Sequence, residues 1–227
     1  MRLYYIYILL FFFLSSLGYA KKELAPWVGV DFNGLSCDGY RMEYGPYDYS
    51  KSENRGSRLH IVEEYHFGKE VQSLRKPPTT GTVFGGITYT LTAFPNHYKA
   101  LNALIHYKII FQKDIEKGRK KPVNPSVECF FYRAINFVPK DARVRILFAT
   151  YLKKIKKYKL ANDYYLQGIK IEPDNLMYRY NYALFLLRLK KYKEALEQAN
   201  YLYSKGFSKQ KLKEKLNRLG YEIDNSA

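Results

Sequence analysis

Histidines, cysteines and carboxylates are where chemistry would be sought first. The chain holds four histidines: His60, His66, His97 and His106. Glu63 and His66 lie one helical turn apart, a spacing used by metal sites built on helices. A metal needs further ligands, and none stands at a fitting distance in the sequence. A charged solvent contact or a local hydrogen bond is therefore the expected role of that pair. His97 and His106 are too far apart to meet on one helical face, and neither has an acid at helical spacing. No Ser-His-Asp arrangement, phosphate-cradling Gly-rich loop or CxxC pair occurs. The residue types thus predict no enzyme, no metal and no cofactor.

Two other stretches invite a functional reading. Tyr47, Asp48 and Tyr49 combine aromatic faces with a carboxylate, which suits a sugar. The expected alternative is a Gly-Pro turn whose aromatics pack inward while Asp48 bonds backbone amides. In "YTLTAFPNHYKAL", residues 89–101, a helix-like run is interrupted by Pro95, Asn96 and His97 and resumes at once. Pro95 is expected to end one helix and Asn96 or His97 to cap the next.

The elements that must position these residues begin with an export signal. "LYYIYILLFFFL", residues 3–14, follows Met1-Arg2 and precedes "SSLGYA" and "KK". A basic start, a short apolar run and a small-x-small exit predict a signal peptide over 1–20, cut after Ala20, with an uncleaved anchor as the alternative. No second long apolar stretch follows, so the mature chain is expected to be soluble and periplasmic or secreted. The formal charge is +17, and removal of residues 1–20 takes away one arginine and no acid. Such an excess points to anionic partners: nucleic acid, membrane headgroups, acidic glycans or acidic proteins. Export makes nucleic acid the weakest of these, and none is expected. Two cysteines, Cys37 and Cys129, permit one disulfide in an exported chain, or two separate buried thiols.

The remainder is organised by a repeat. Pro139 and Pro173 are 34 residues apart, and Phe207 stands 34 further on. The same offset relates Phe148 to Tyr182, Ala149 to Ala183, Leu152 to Leu186, Tyr158 to Tyr192 and Ala161 to Ala195. "LKKIKKYKLANDYY" and "LRLKKYKEALEQAN" are near copies. The first interval, Pro95 to Pro139, is ten residues longer, and the excess is expected in "FQKDIEKGRKKPVNPS" between helices over 97–112 and 125–137.

On these residues the chain resembles the tetratricopeptide repeat (TPR) family over 86–220. Arg145 and Arg179 stand where that family usually has a large aromatic, Lys156 and Lys190 where glycine is common, and Gly168 where alanine is usual. The resemblance implies an all-α, TPR-type solenoid of about three repeats. "SKQKLKEKLNRLG" adds an amphipathic capping helix over 208–219, with Leu212, Leu216 and Leu219 on one side, and residues 221–227 form a tail. Residues 21–85, rich in Gly, Pro, Tyr and Ser, are expected to be mostly irregular and packed on the solenoid, with one short helix near 69–75. With "GPYDY" at 45–49, "VEEYHF" at 62–67 and "ITYTLTAFPNH" at 87–97, the whole is similar to a set of exported bacterial TPR proteins. That likeness implies an architecture and no activity.

Two surfaces follow from the resemblance. Family position assigns the concave groove to Lys99, Asn102 and His106, then Arg143, Ile146 and Thr150, then Met177, Tyr180 and Leu184. The Lys/Asn/Arg set with which some TPR proteins clamp a peptide C-terminus is not reproduced. The turns between paired helices are basic: Lys113, Lys117, Arg119, Lys120 and Lys121; then Lys153, Lys154, Lys156, Lys157 and Lys159; then Arg188, Lys190, Lys191 and Lys193. Equivalent turns stack along one edge of a solenoid. These predict a positive rim, or a merely solvated edge. The expected function is a non-catalytic scaffold of the bacterial cell envelope that binds a protein partner through the groove. The alternative is an anionic envelope polymer or membrane surface held by the rim.

Overall fold

The computed structural model describes residues 25–79, 81–120 and 122–223. The proposed signal peptide, most of the tail and Lys121 lie outside the described residues. The described residues hold eleven α-helices, and their one β pairing is an isolated Val30–Ser36 bridge. The fold is all-α. Among the described residues no helix is long and apolar enough to cross a membrane.

The helices follow the sequence punctuation. Thr82 accepts from the Gly85 amide and starts α3 (Val83–Ala93), which stops before Pro95. His97 then starts α4 (Tyr98–Ile110) by accepting from Ala100 N–H, and Asp141 starts α7 (Ala142–Lys154) by accepting from Val144 N–H. Asn175 precedes α9 (Leu176–Arg188) without a side-chain capping bond. These three post-proline helices have 13 residues each. Each of α6 (Val127–Phe137), α8 (Tyr158–Ile171) and α10 (Tyr192–Ser204) ends shortly before the next boundary. Helices α7 and α9, and α8 and α10, begin 34 residues apart. The longer first interval holds the short α5 (Gln112–Glu116) and the loop to α6, where the extra residues were expected.

The period is a packing requirement. Ala149, Ala161, Ala183 and Ala195 have no exposed surface, so paired helices approach closely at those points. Leu152, Phe148, Leu186 and Phe185 fill the space between, each buried apolar side chain contributing roughly 1.5–3 kcal/mol. Gly168 is explained in the same way, since a Cβ there would lie 2.6 Å from Ile146 Cδ1. Arg145 and Arg179 also keep structural roles. The guanidinium of Arg145 donates to the Asp141 carbonyl and to Gln167 Oε1; that of Arg179 donates to the Pro173 carbonyl and to Gln198 Oε1 and lies 4.1 Å over Tyr201.

The N-terminal segment is more helical than its composition predicts. It contains a 3-10 turn (Ser52–Asn54), α1 (Ser57–His66) and α2 (Lys69–Gln72). Helix α1 escapes a pattern reading because only Leu59 and Val62 are buried while Ile61 and Tyr65 face outward. Its stability is tertiary: Leu59 and Val62 join Tyr49, Ala93 and Phe94 in a small second core. The terminal helix α11 (Lys211–Asn217) is shorter than the expected 208–219. Leu212 and Leu216 are fully buried, whereas Leu219 lies beyond the helix and is 47% exposed.

Candidate functional site

At Pro95-Asn96-His97 the structure places punctuation and a buried junction together. His97 is fully buried. Its Nδ1 accepts from Ala100 N–H at 3.1 Å, so the ring proton sits on Nε2, which donates to Glu63 Oε1 at 3.1 Å. Burial holds the His97 pKa below its ordinary value, and the hydrogen bond from His97 lowers that of Glu63. The Glu63 partner is thus His97, not His66; the His66 ring instead stacks 3.6 Å from Tyr89. An imidazole sealed from solvent and committed at both nitrogens caps a helix and pins α1 to α4.

Asn96 joins two more segments of chain. Its Nδ2 donates to Asp48 Oδ1 and Asp141 Oδ2, and its Oδ1 accepts from Tyr49 N–H. Asp48 also accepts from Ser50 N–H, the turn role expected of it. Tyr47 donates its amide to the Ala93 carbonyl and lays its ring against Phe94. Burial pushes the Tyr49 phenol up to about 12. Gly45 has φ +104°, and a Cβ there would fall 2.6 Å from the Ala93 oxygen, so this approach admits only glycine. The Tyr47–Tyr49 element therefore works as glue between segment and helices.

Two buried charges that sequence reasoning missed complete this end. Arg133 donates to the carbonyls of Ala25, Leu91 and Thr92, covering the C-terminus of α3, and its guanidinium lies 5.0 Å from the Trp27 ring. Glu128 accepts from Phe32 N–H at 3.0 Å and from Tyr151 Oη at 3.4 Å. Their partners lie up to 108 residues away, and no local pattern announces them. Beside them, Cys37 and Cys129 form a disulfide with Cα atoms 5.4 Å apart.

The expected groove residues divide. Lys99, Asn102, Arg143, Ile146 and Thr150 line one open cavity of about 370 Å³, joined by Gln72 from α2 and Asn181 from α9. Arg143 stacks 4.5 Å over Tyr98. His106 is exposed nearby, its pKa lowered by partial burial and then by the charge of Lys154. Met177 is 37% exposed. Tyr180 is buried instead, its ring 5.1 Å from Phe207. Leu184 belongs to a second cavity at the α9–α11 end, of about 730 Å³.

The rim residues divide as well. Lys154, Lys156, Lys159, Lys190 and Lys193 are exposed and form no ion pair among the described residues. Lys157 lies 4.6 Å over Phe32, and Lys191 pairs with Glu194 at 3.1 Å. In the first turn Arg119 pairs with Asp114 and Lys120 covers Phe111, while Lys113 and Lys117 stand beside them. Lys153 and Arg188 leave the edge to line the second cavity, together with Lys211, Lys215 and Arg218. That grouping was overlooked because the terminal helix was read for its leucines alone. Lys211, Lys215 and Arg218 recur at i, i+4 and i+7, each one residue before a leucine of the stripe, so the neighbouring face is open to the same count.

The geometry defines an all-α, disulfide-bonded protein with open cavities whose charged linings are cationic. No family model matches the chain, and neither does a curated protein or a solved structure.

Proposed function

We propose that this chain is a TPR-type solenoid of about three repeats that serves as a non-catalytic scaffold in a bacterial cell envelope. It binds a protein partner through the concave groove, which takes an anionic stretch of that partner. The observation that carries the reading is the convergence of Lys99, Asn102, Arg143 and Thr150 on one cavity, with no acidic side chain in its described lining. Helix starts offset by 34 residues support the repeat class, and the disulfide favours an oxidising compartment. An extended or helical segment of a partner fits such a surface.

A photo-crosslinking residue at Asn102, which is exposed, tests this in intact envelopes. One stoichiometric partner is expected, with capture lost in Arg143→Glu. Capture that is diffuse, or indifferent to Arg143→Glu, sinks the proposal. Tyr180 is a poor position for the probe because it is buried.

A second reading, attachment to an anionic polymer or membrane surface, is favoured by the unpaired lysines of the turn edge. It expects salt-sensitive retention on anionic vesicles. Retention should disappear when Lys154, Lys156, Lys190 and Lys193 are changed to Glu. Unchanged retention would remove this reading.

A further inference from the structure

The cavity between α9 and α11 differs in kind from the groove. Five cations line it: Lys153, Arg188, Lys211, Lys215 and Arg218. None of the five forms an ion pair among the described residues, and no acidic side chain among them lines the cavity. Beneath the charges lies apolar surface from Leu184, Leu187 and Leu219. Leu219, just beyond α11, is 47% exposed and adds apolar surface to the cavity wall. The volume, about 730 Å³, falls within the range of small-molecule sites and exceeds that of the groove cavity.

We propose that this cavity binds a single-chain anionic amphiphile with a phosphate head, its chain lying along Leu184, Leu187 and Leu219. Arg188 and Arg218 offer planar forks for two phosphate oxygens, and the lysines add point charges on flexible stems. The stems themselves extend the apolar wall. Partial burial, then the positive charges of Arg188 and Lys154, hold the Lys153 pKa below its ordinary value. The mutual repulsion of Lys153 and Arg188 in the lining is a cost which an anionic head offsets. A polymer wanting charge alone would need no leucine floor, and an apolar peptide would need no cations. The proposal stands apart from the groove reading, because Lys99 and Arg143 take no part in it.

Titration of the purified mature chain with dodecyl phosphate below its micellar concentration tests the assignment, with dodecyl maltoside and inorganic phosphate as matched controls. One equivalent of dodecyl phosphate should bind at least about tenfold more tightly than either control. Arg188→Glu and the exposed pair Lys215→Glu/Arg218→Glu should each weaken it by about tenfold or more. Circular dichroism melting of each variant establishes that the fold is kept. Leu219→Ser should weaken dodecyl phosphate and leave inorganic phosphate unchanged. Equal binding of the maltoside would show a merely greasy surface, and equal binding of inorganic phosphate a bare anion site; either overturns the proposal. So would tighter binding of an acidic amphipathic peptide, or full affinity in the folded Lys215→Glu/Arg218→Glu variant. Groove crosslinking from Asn102 should persist in these variants, so failure here is separable from failure of the scaffold reading.

Discussion

The two ends of this molecule are held by different physics. The first half, from Ala25 to α6, is tied together by buried polar groups: Asn96, His97, Glu128 and Arg133. Their partners lie far away in sequence, and a disulfide closes the same region. The second half, α7 to α10, is held mainly by apolar side chains recurring at one period, with Arg145 its one buried charge among the described residues and most other polar residues turned outward. A buried polar junction is specific but unforgiving, since every member must keep its partner. A periodic apolar interface tolerates change and leaves its surface free for charge. The closed end therefore suits anchoring. The open end, with unpaired cations on turns and cavity walls, suits binding.

The disulfide is the strongest test of the closed end. Cys37 and Cys129 are 92 residues apart in sequence. The chain-entropy account gives a bond closing so long a loop a contribution of about 4–5 kcal/mol. Reduction, or Cys37→Ser with Cys129→Ser, should lower denaturant stability by that order. Hydrogen exchange should rise in α1–α4 before α8–α10. Uniform loss of protection along the chain would mean that the two halves are not distinct units.

Asn96→Asp comes next. The substitution keeps the acceptor for Tyr49 N–H but replaces a double donor with a charge facing Asp48 and Asp141. A loss of about 3 kcal/mol is expected for a buried site of this kind. At Asn217, exposed at the end of α11 in the open end, the same Asn→Asp change should cost well under about 1 kcal/mol. Thermal melts of both variants compare the two ends directly.

The His97 contact makes the closed end sensitive to acid. Its pKa is depressed from 6.5 in the folded protein, with burial as the main cause. As pH falls through that ordinary value, the unfolded chain takes up the proton first, so folding stability is lost on acidification. Protonation also removes the acceptor that caps α4. Glu63, likewise depressed, adds loss in the same direction at lower pH. Stability should decline between about pH 7 and pH 5, and His97→Asn should flatten that decline while retaining a capping oxygen. An unchanged slope in His97→Asn would place the acid sensitivity elsewhere; His66 and His106, both partly exposed and both depressed by burial, are the other contributors.

What was legible in the sequence follows the same division. The helices from α7 to α10 could be read because period, residue volume and proline position agree at each boundary. The capping role of His97 could also be read, from its place after Pro95. The junction around Asn96 and Arg133 could not, because a buried polar contact leaves no periodic trace in either partner. Helix α1 was missed because two buried side chains in ten residues are too few to outline a face. The arginines at 145 and 179 look like isolated departures, yet each has a tyrosine and a glutamine on the following helix. Tyr164 and Gln167 serve the first, Gln198 and Tyr201 the second, with the two types exchanged between equivalent positions. Comparing those offsets would have shown the compensation. The cationic cavity needed the position of α11 against α9, which only the fold supplies.

The smallest expected effect has the opposite sign and lies in the open end. Lys156 and Lys190, in equivalent turns, have φ of 62° and 60°, a left-handed conformation that a side chain disfavours. Glycine relieves that strain while adding freedom to the unfolded chain. Lys156→Gly and Lys190→Gly should therefore each stabilise by about 0.5 kcal/mol net. Two strained lysines where glycine fits better imply that the charge is kept for something other than stability. If so, the double glycine variant should melt higher and bind anionic vesicles less well at low salt. A variant that melts higher and binds equally would show that these two turn charges only keep the edge solvated, and would leave the anion-binding case to the cavity beneath Arg188 and Arg218.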